Sequence, residues 1–205
     1  MGLRYKFTRT GVRCAADSDS AKKHQQFGDR TRKLSWYEMI QDLVQIRLLG
    51  EKKRPENERF RRYLKAHDHS ERRMRRIAEE IEEEIDCTVC ANCCRVATVR
   101  VSDRDIDRLT RHLGITRAEF LAQYITLSDE EGRILHRKES GCVFLDGNTC
   151  TVYENRPDTC ERFPHLVRGN GSIASRMWQF IDRACYCPIV YNALEAFKAE
   201  SKFTR

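Results

Sequence analysis

A mainly helical α+β fold is predicted, with an N-terminal helical hairpin followed by a small domain that contains a β-hairpin. Three observations lead there. Apolar residues recur at helical spacing through residues 36–85. Ser102 with Asp105, and Thr116 with Glu119, form hydroxyl-x-x-acid boxes of the kind that open helices. The β-rich runs GCVFL and TCTVY flank Asp146-Gly147-Asn148, a good hairpin turn.

Taken in order, residues 1–33 hold nine Lys or Arg against three Asp and show no apolar period, the composition of a disordered basic tail. Residues 34–86 read as a helical arm. Ser35 and Glu38 make a capping box, and Trp36, Met39, Ile40, Leu43 and Ile46 then recur until Gly50, where the helix is expected to stop. After Pro55 a longer helix is expected to reach about residue 85, with Phe60, Leu64, His67, Met74, Ile77 or Ala78, Ile81 and Ile85 on its apolar face. Glu71 with Arg75, and Arg76 with Glu80, stand four apart on the exposed side.

Residues 87–205 form the cysteine-rich domain. Val96, Val99 and Val101 suggest a short strand, and the Ser102 helix should end at Gly114. The Thr116 helix covers Phe120, Leu121 and Tyr124, and the hairpin is expected to bring Cys142 and Cys150 to neighbouring strands. Pro157 and Pro164 bracket Cys160 and fix the turns that aim it. IVYNALEAFKAE, after Pro188, reads as a final helix.

A mean hydropathy of -0.68 and 34% charged residues place the chain in water. No apolar run approaches the roughly 18 residues of a membrane span. The first residues carry four basic groups before Asp17 but no apolar signal stretch, and Lys6 breaks the myristoylation pattern. A cytoplasmic location is therefore expected, a reducing setting in which clustered thiols hold metals rather than disulfides.

Four cysteines occupy eight positions, as CTVCANCC: Cys87, Cys90, Cys93 and Cys94. Cys142, Cys150, Cys160, Cys185 and Cys187 follow, while Cys14 sits apart in the tail. Thiolates at two-residue spacing can meet at one centre, as zinc and iron–sulfur sites require. Cys87, Cys90 and Cys93 share the CxxCxxC opening of bacterial ferredoxins, but the fourth thiol comes at once as Cys94, and a Cys-Pro pair appears only at Cys187-Pro188. Adjacent Cys93 and Cys94 diverge, so they serve different centres or opposite sides of one cluster. Eight thiolates suffice for two Zn2+ ions, or for one iron–sulfur cluster, 4Fe-4S among the options, with one zinc; the centres number one or two. Trp178 and Phe180 are expected to shield the metal from water.

CTVCANCC, GCVFLDGNTCTVYENRPDTCERFP, DIDRLTRHLGITRAEFLAQY and the closing cysteine before proline together resemble the bacterial cysteine-cluster family marked by CxxCxxCC, described as zinc- or iron-chelating domains. The resemblance spans about residues 87–190 and does not include the helical arm. It implies a metal-stapled domain with Cys87, Cys90, Cys93, Cys94, Cys142, Cys150 and Cys160 as ligands and Cys187 completing eight, although Cys185 could stand in for Cys187. It implies a structural or redox metal. Two other classes of function follow from it or from charge. One is a metal-dependent enzyme with an open coordination position beside His165, Asp158 or Glu161, or a methyltransferase-like one, since a relative is a lysine N-methylase that uses S-adenosylmethionine; no Gly-rich strand-to-helix turn supports the latter. The other is an adaptor that binds RNA or an acidic protein through residues 1–33, residues 34–205 being almost neutral.

Overall fold

The computed structural model describes residues 39–204. The basic tail, Cys14 and the box of Ser35 and Glu38 lie outside them. The described chain runs α1 Leu43–Ala66, α2 Glu71–Glu84, α3 Cys87–Cys90, α4 Asn92–Val96, α5 Asp103–Leu113 and α6 Arg117–Tyr124. Three antiparallel two-stranded ladders follow: β1 Ile125–Ser128 with β2 Gly132–Leu135, β3 Arg137–Lys138 with β4 Gly141–Cys142, and β5 Leu145–Asp146 with β6 Thr149–Cys150. The chain closes with α7 Asp158–Glu161, α8 Met177–Arg183 and α9 Pro188–Glu200. The expected mainly helical α+β class is what is seen.

The arm's boundaries differ from expectation. α1 begins at the cap Asp42, whose carboxylate accepts from the Gln45 N–H at 2.8 Å, and runs straight through Gly50 and Pro55. An interior proline costs a helix about 3 kcal/mol. Here Ile46, Gly50, Asn57, Phe60 and Leu64 form one buried stripe, and its burial against α8 and α9 outweighs both breakers. The break falls instead at His67, which is extended, and Ser70 recaps the chain by accepting from the Arg73 N–H. α9 contacts both α1 and α2. Phe60, Met74, Phe180 and Phe197 are wholly or almost wholly buried on these elements. Asn192 of α9 also exchanges two hydrogen bonds with the Ile40 backbone.

A second core lies under the ladders. Val99, Val101, Ile106, Leu109, Phe120, Leu135, Phe144 and Val152 pack together with Cys142. The capping boxes stand as expected: Ser102 and Thr116 each accept from the backbone three residues on, and Asp105 and Glu119 reach back. The Val96–Val101 stretch is not a full strand; residue 100 makes an isolated bridge to Ile134, while the Val99 carbonyl and Val101 N–H pair with Leu135 and Arg133. Among the described residues, no helix is long and apolar enough to cross a membrane.

Candidate metal centre

The thiols sit on short turns held in place by side chains. Asp86 caps α3 by accepting from the Thr88 N–H and hydroxyl at 2.8 and 2.7 Å, so Cys87 and Cys90 share one helical turn. Ala91 then adopts a left-handed conformation with φ of 45°, unusual for a residue with a Cβ. That residue ends α3 and redirects the chain into α4, which carries Cys93 and Cys94. Asn92 clamps the corner to the chain end, its amide donating to the Tyr186 carbonyl at 2.7 Å. Arg95 and Asn148 clamp it to the β5–β6 turn. Arg95 donates to the Cys90 and Gly147 carbonyls at 2.8 and 2.9 Å, and the Asn148 amide donates to the Val89 carbonyl at 2.7 Å.

Cys142 and Cys150 do not share one ladder, contrary to expectation. Cys142 pairs with Arg137 across β3–β4, and Cys150 pairs with Leu145 across β5–β6. Gly141 explains the placement of β4. Its φ is 127°, and a Cβ there would lie 2.7 Å from the Cys94 carbonyl oxygen and 2.9 Å from the Arg95 Cα. The ladder therefore passes directly against the backbone of Cys94.

Cys160 rides on α7. Asp105 anchors that turn, its carboxylate accepting from the Asp158 N–H at 3.0 Å, from Arg108 at 2.7 Å and from Ser102. Burial works against the Asp105 charge, but the Ser102 hydroxyl and N–H, the Asp158 N–H and Arg108 together hold its pKa below the ordinary 3.8. Asp105→Asn is expected to cost about 2 kcal/mol in urea unfolding at neutral pH, the scale of hydrogen bonds to a buried charge. A depressed carboxyl stabilises the fold above its unfolded pKa and loses that contribution as pH falls through its folded one. The wild-type and Asp105→Asn proteins should therefore converge in stability below about pH 3.8, and a constant difference down to pH 2 would contradict the role.

Two hollows gather the sulfurs. A cavity of about 790 Å³ is walled by Cys87, Cys93, Cys94, Cys142, Cys150 and Cys160, with Phe144 and Val152 among its apolar lining. Its α2 side presents Glu79, Glu82 and Glu83, and burial raises the Glu82 pKa. A much tighter hollow, about 10 Å³, is walled by Cys87, Cys90, Cys93 and Cys187 and closed by Ile85, Phe163, Tyr186, Pro188 and Ile189. Neither Trp178, which is 58% exposed, nor the buried Phe180 is in either wall, so the expected shielding falls to Phe163 and Tyr186.

Burial pushes the Cys87, Cys142, Cys150 and Cys160 thiols up, and the Cys187 thiol up to about 12. Cys94 is lowered to about 7, chiefly because the Cys93 thiol donates to it, and Cys93 is raised by the same bond. Backbone amides favour the charged forms. The Asn92 N–H donates to Cys90 Sγ at 3.4 Å, the Phe144 and Val152 N–H groups serve Cys142 and Cys150, and the first turn of α9 serves Cys187. Cys90 accepts from the amide two residues on, and nearby amides favour the thiolates of Cys142, Cys150 and Cys187. A neutral thiol accepts only weakly, whereas a thiolate gains from such donors, so the donor set fits metal ligation. Among the described residues, no group of three or more His, Cys, Asp or Glu side chains is arranged to hold an ion as the side chains stand.

The remaining candidates separate clearly. Cys185 faces α1, with Arg54 donating to its sulfur at 3.3 Å, and burial raises its thiol to about 11. It lines neither hollow. His165 is also outside both walls; burial, with Arg183, Arg176 and Arg162 nearby, lowers its pKa to about 4. Asp158 is engaged with Arg108, while Glu161 does reach the large cavity. Arg156 stacks on Tyr153 at 3.9 Å and lies near enough to Cys87, Cys150 and Cys160 to favour their thiolates.

Thiols on short turns, served by backbone amides and gathered at hollows, define a class of cysteine-rich chelating domains. Residues 86–188 match the CxxCxxCC family, whose description reads "Putative zinc- or iron-chelating domain", and the chain belongs to that family. No curated protein and no solved structure matches the chain.

Proposed function

We propose that this protein binds zinc or iron through eight thiolates, those of Cys87, Cys90, Cys93, Cys94, Cys142, Cys150, Cys160 and Cys187, and that the metal staples the short segments carrying them. The observation that carries this reading is the convergence of all eight on two adjoining hollows, with Cys185 left outside. Bound metal supplies the positive charge that offsets burial of so many thiolates. The chain's own part is to hold the sulfurs in place through Asn92, Arg95, Asn148 and Asp105, to present amides to them, and to exclude water with Phe163 and Tyr186.

Elemental analysis of anaerobically purified protein tests the reading. Cys90→Ser should strip out at least half of the bound metal, whereas Cys14→Ser and Cys185→Ser should leave the content unchanged. Equal losses in all three would count against the assignment. Colourless protein with stoichiometric zinc would mark a structural role, and brown protein with thiolate-to-iron absorption a cluster.

A second reading, an RNA-binding adaptor, gains support from charge placement. The near-neutral sum over residues 34–205 hides a segregation: residues 59–76 hold eight Lys or Arg against Asp68 and Glu71, while residues 79–86 hold six acids and no base. Arg59, Arg62, Lys65, Arg72 and Arg76 are exposed and, among the described residues, have no acidic partner. The tail invoked from sequence lies outside those residues. If this surface holds RNA, Arg62→Glu with Arg72→Glu should weaken binding and flatten its salt dependence, without changing metal content. Unchanged affinity would remove the adaptor reading.

A further inference from the structure

We infer that the eight thiols form two separate four-sulfur centres divided at the Cys93–Cys94 peptide bond: Cys87, Cys90, Cys93 and Cys187 in one, Cys94, Cys142, Cys150 and Cys160 in the other. This rests on the chelating function proposed above and adds how the ligands are shared out.

The walls make the first division. The tight hollow contains the whole first quartet and no member of the second. The large cavity contains the whole second quartet and shares Cys87 and Cys93 with the tight hollow. Backbone geometry makes the same cut. Cys93 and Cys94 are consecutive on α4, and consecutive residues of a helix project about 100° apart. Cys94 accordingly lines only the large cavity, whereas Cys93 lines both hollows.

Two clamps follow the same division, while Arg95 and Asn148 bridge it by holding the Cys90 turn to the β5–β6 turn. Asn92 ties the CTVCANC turn to Tyr186 and hence to Cys187. Arg137 donates to the Ala97 carbonyl at 2.6 Å, and Gly141 lies against the Cys94 carbonyl, which tie Cys94 to the ladder of Cys142. Backbone amides favour the thiolate in both quartets, at Cys87, Cys90 and Cys187 in one and at Cys142 and Cys150 in the other. Four thiolates complete either a tetrahedral zinc or one iron–sulfur cluster, so neither quartet needs to borrow from its neighbour.

Cadmium-113 bound to the full chain under anaerobic, thiol-reducing conditions tests the division. Two cadmium resonances are expected. Cadmium–proton correlation should join one to the β-protons of Cys87, Cys90, Cys93 and Cys187, and the other to those of Cys94, Cys142, Cys150 and Cys160. Because the connection is read in the intact chain, no variant has to fold. A single bound ion, or one ion coupled to both Cys93 and Cys94, would overturn the division while sparing the chelating function. Failure to bind cadmium at all would instead sink that function, and the division with it. As a second readout, Cys142→Ser with Cys150→Ser should remove one resonance and keep the other, with helical circular dichroism retained; loss of both in a protein that keeps its helical signal would also overturn it.

Discussion

Stripping the metal with a strong chelator under reducing conditions is expected to abolish backbone amide protection across the short segments 87–98 and 137–165 while α1, α2 and α9 keep most of theirs. The difference follows from how each part is held. β3, β4, β5 and β6 are two residues long, and α3 and α7 are single turns. Such elements cannot repay the roughly 1–2 kcal/mol of backbone entropy per ordered residue by their own hydrogen bonds. Structural zinc contributes on the order of 10 kcal/mol per site, comparable with the roughly 5–15 kcal/mol that stabilises a whole domain. The helical arm needs no such help, because Phe60, Leu64, Met74 and Phe197 bury their side chains against one another's helices. Hydrogen exchange followed by mass spectrometry, with and without chelator, reads this directly. Unchanged protection in residues 87–98 and 137–165 after complete removal of zinc and iron would contradict the stapling role.

Gly50→Ala is expected to destabilise the protein by about 3 kcal/mol, the upper part of the range for overpacking a core. Helix propensity alone predicts the opposite sign, a gain of up to about 1 kcal/mol for replacing an interior glycine by alanine. Contact decides between them. A Cβ at position 50 would meet the Ala184 carbonyl oxygen and the Cys185 Cα, both at 2.6 Å, and the Cys185 N at 2.9 Å. All three are backbone atoms in the α8–α9 connection, so no rotamer change relieves them. α1 would have to move away from the segment that leads to Cys187. A urea midpoint at or above that of the wild type would show that the approach is looser than these distances.

These results mark how far local pattern carries. The capping boxes at Ser102 and Thr116 were legible because a cap is decided within four residues by one side chain and the backbone amides beside it. The arm misled for the complementary reason. Gly50 and Pro55 are true local breakers, but the stripe Ile46, Gly50, Asn57, Phe60 and Leu64 is stabilised by helices more than a hundred residues away in sequence. Charge order, by contrast, stands in the sequence itself: bases precede acids along RRMRRIAEEIEEEID, although residues 34–205 sum to near neutrality.

Residue types and their spacing establish the chemistry on offer: nine cysteines from position 87 onward, their CxxCxxCC spacing, the family they belong to, and the mainly helical α+β class. Tertiary structure alone decided which sulfurs face a common hollow. That outcome hangs on the left-handed Ala91, on Gly141 passing beneath the Cys94 carbonyl, and on Asn92 holding Tyr186. It also turned Cys187 inward and left Cys185 beside Arg54, two residues away along the chain but on opposite sides of it. Residue type sets what a side chain can bind, whereas direction is set by contacts between segments far apart in sequence, and those exist only once the chain has folded.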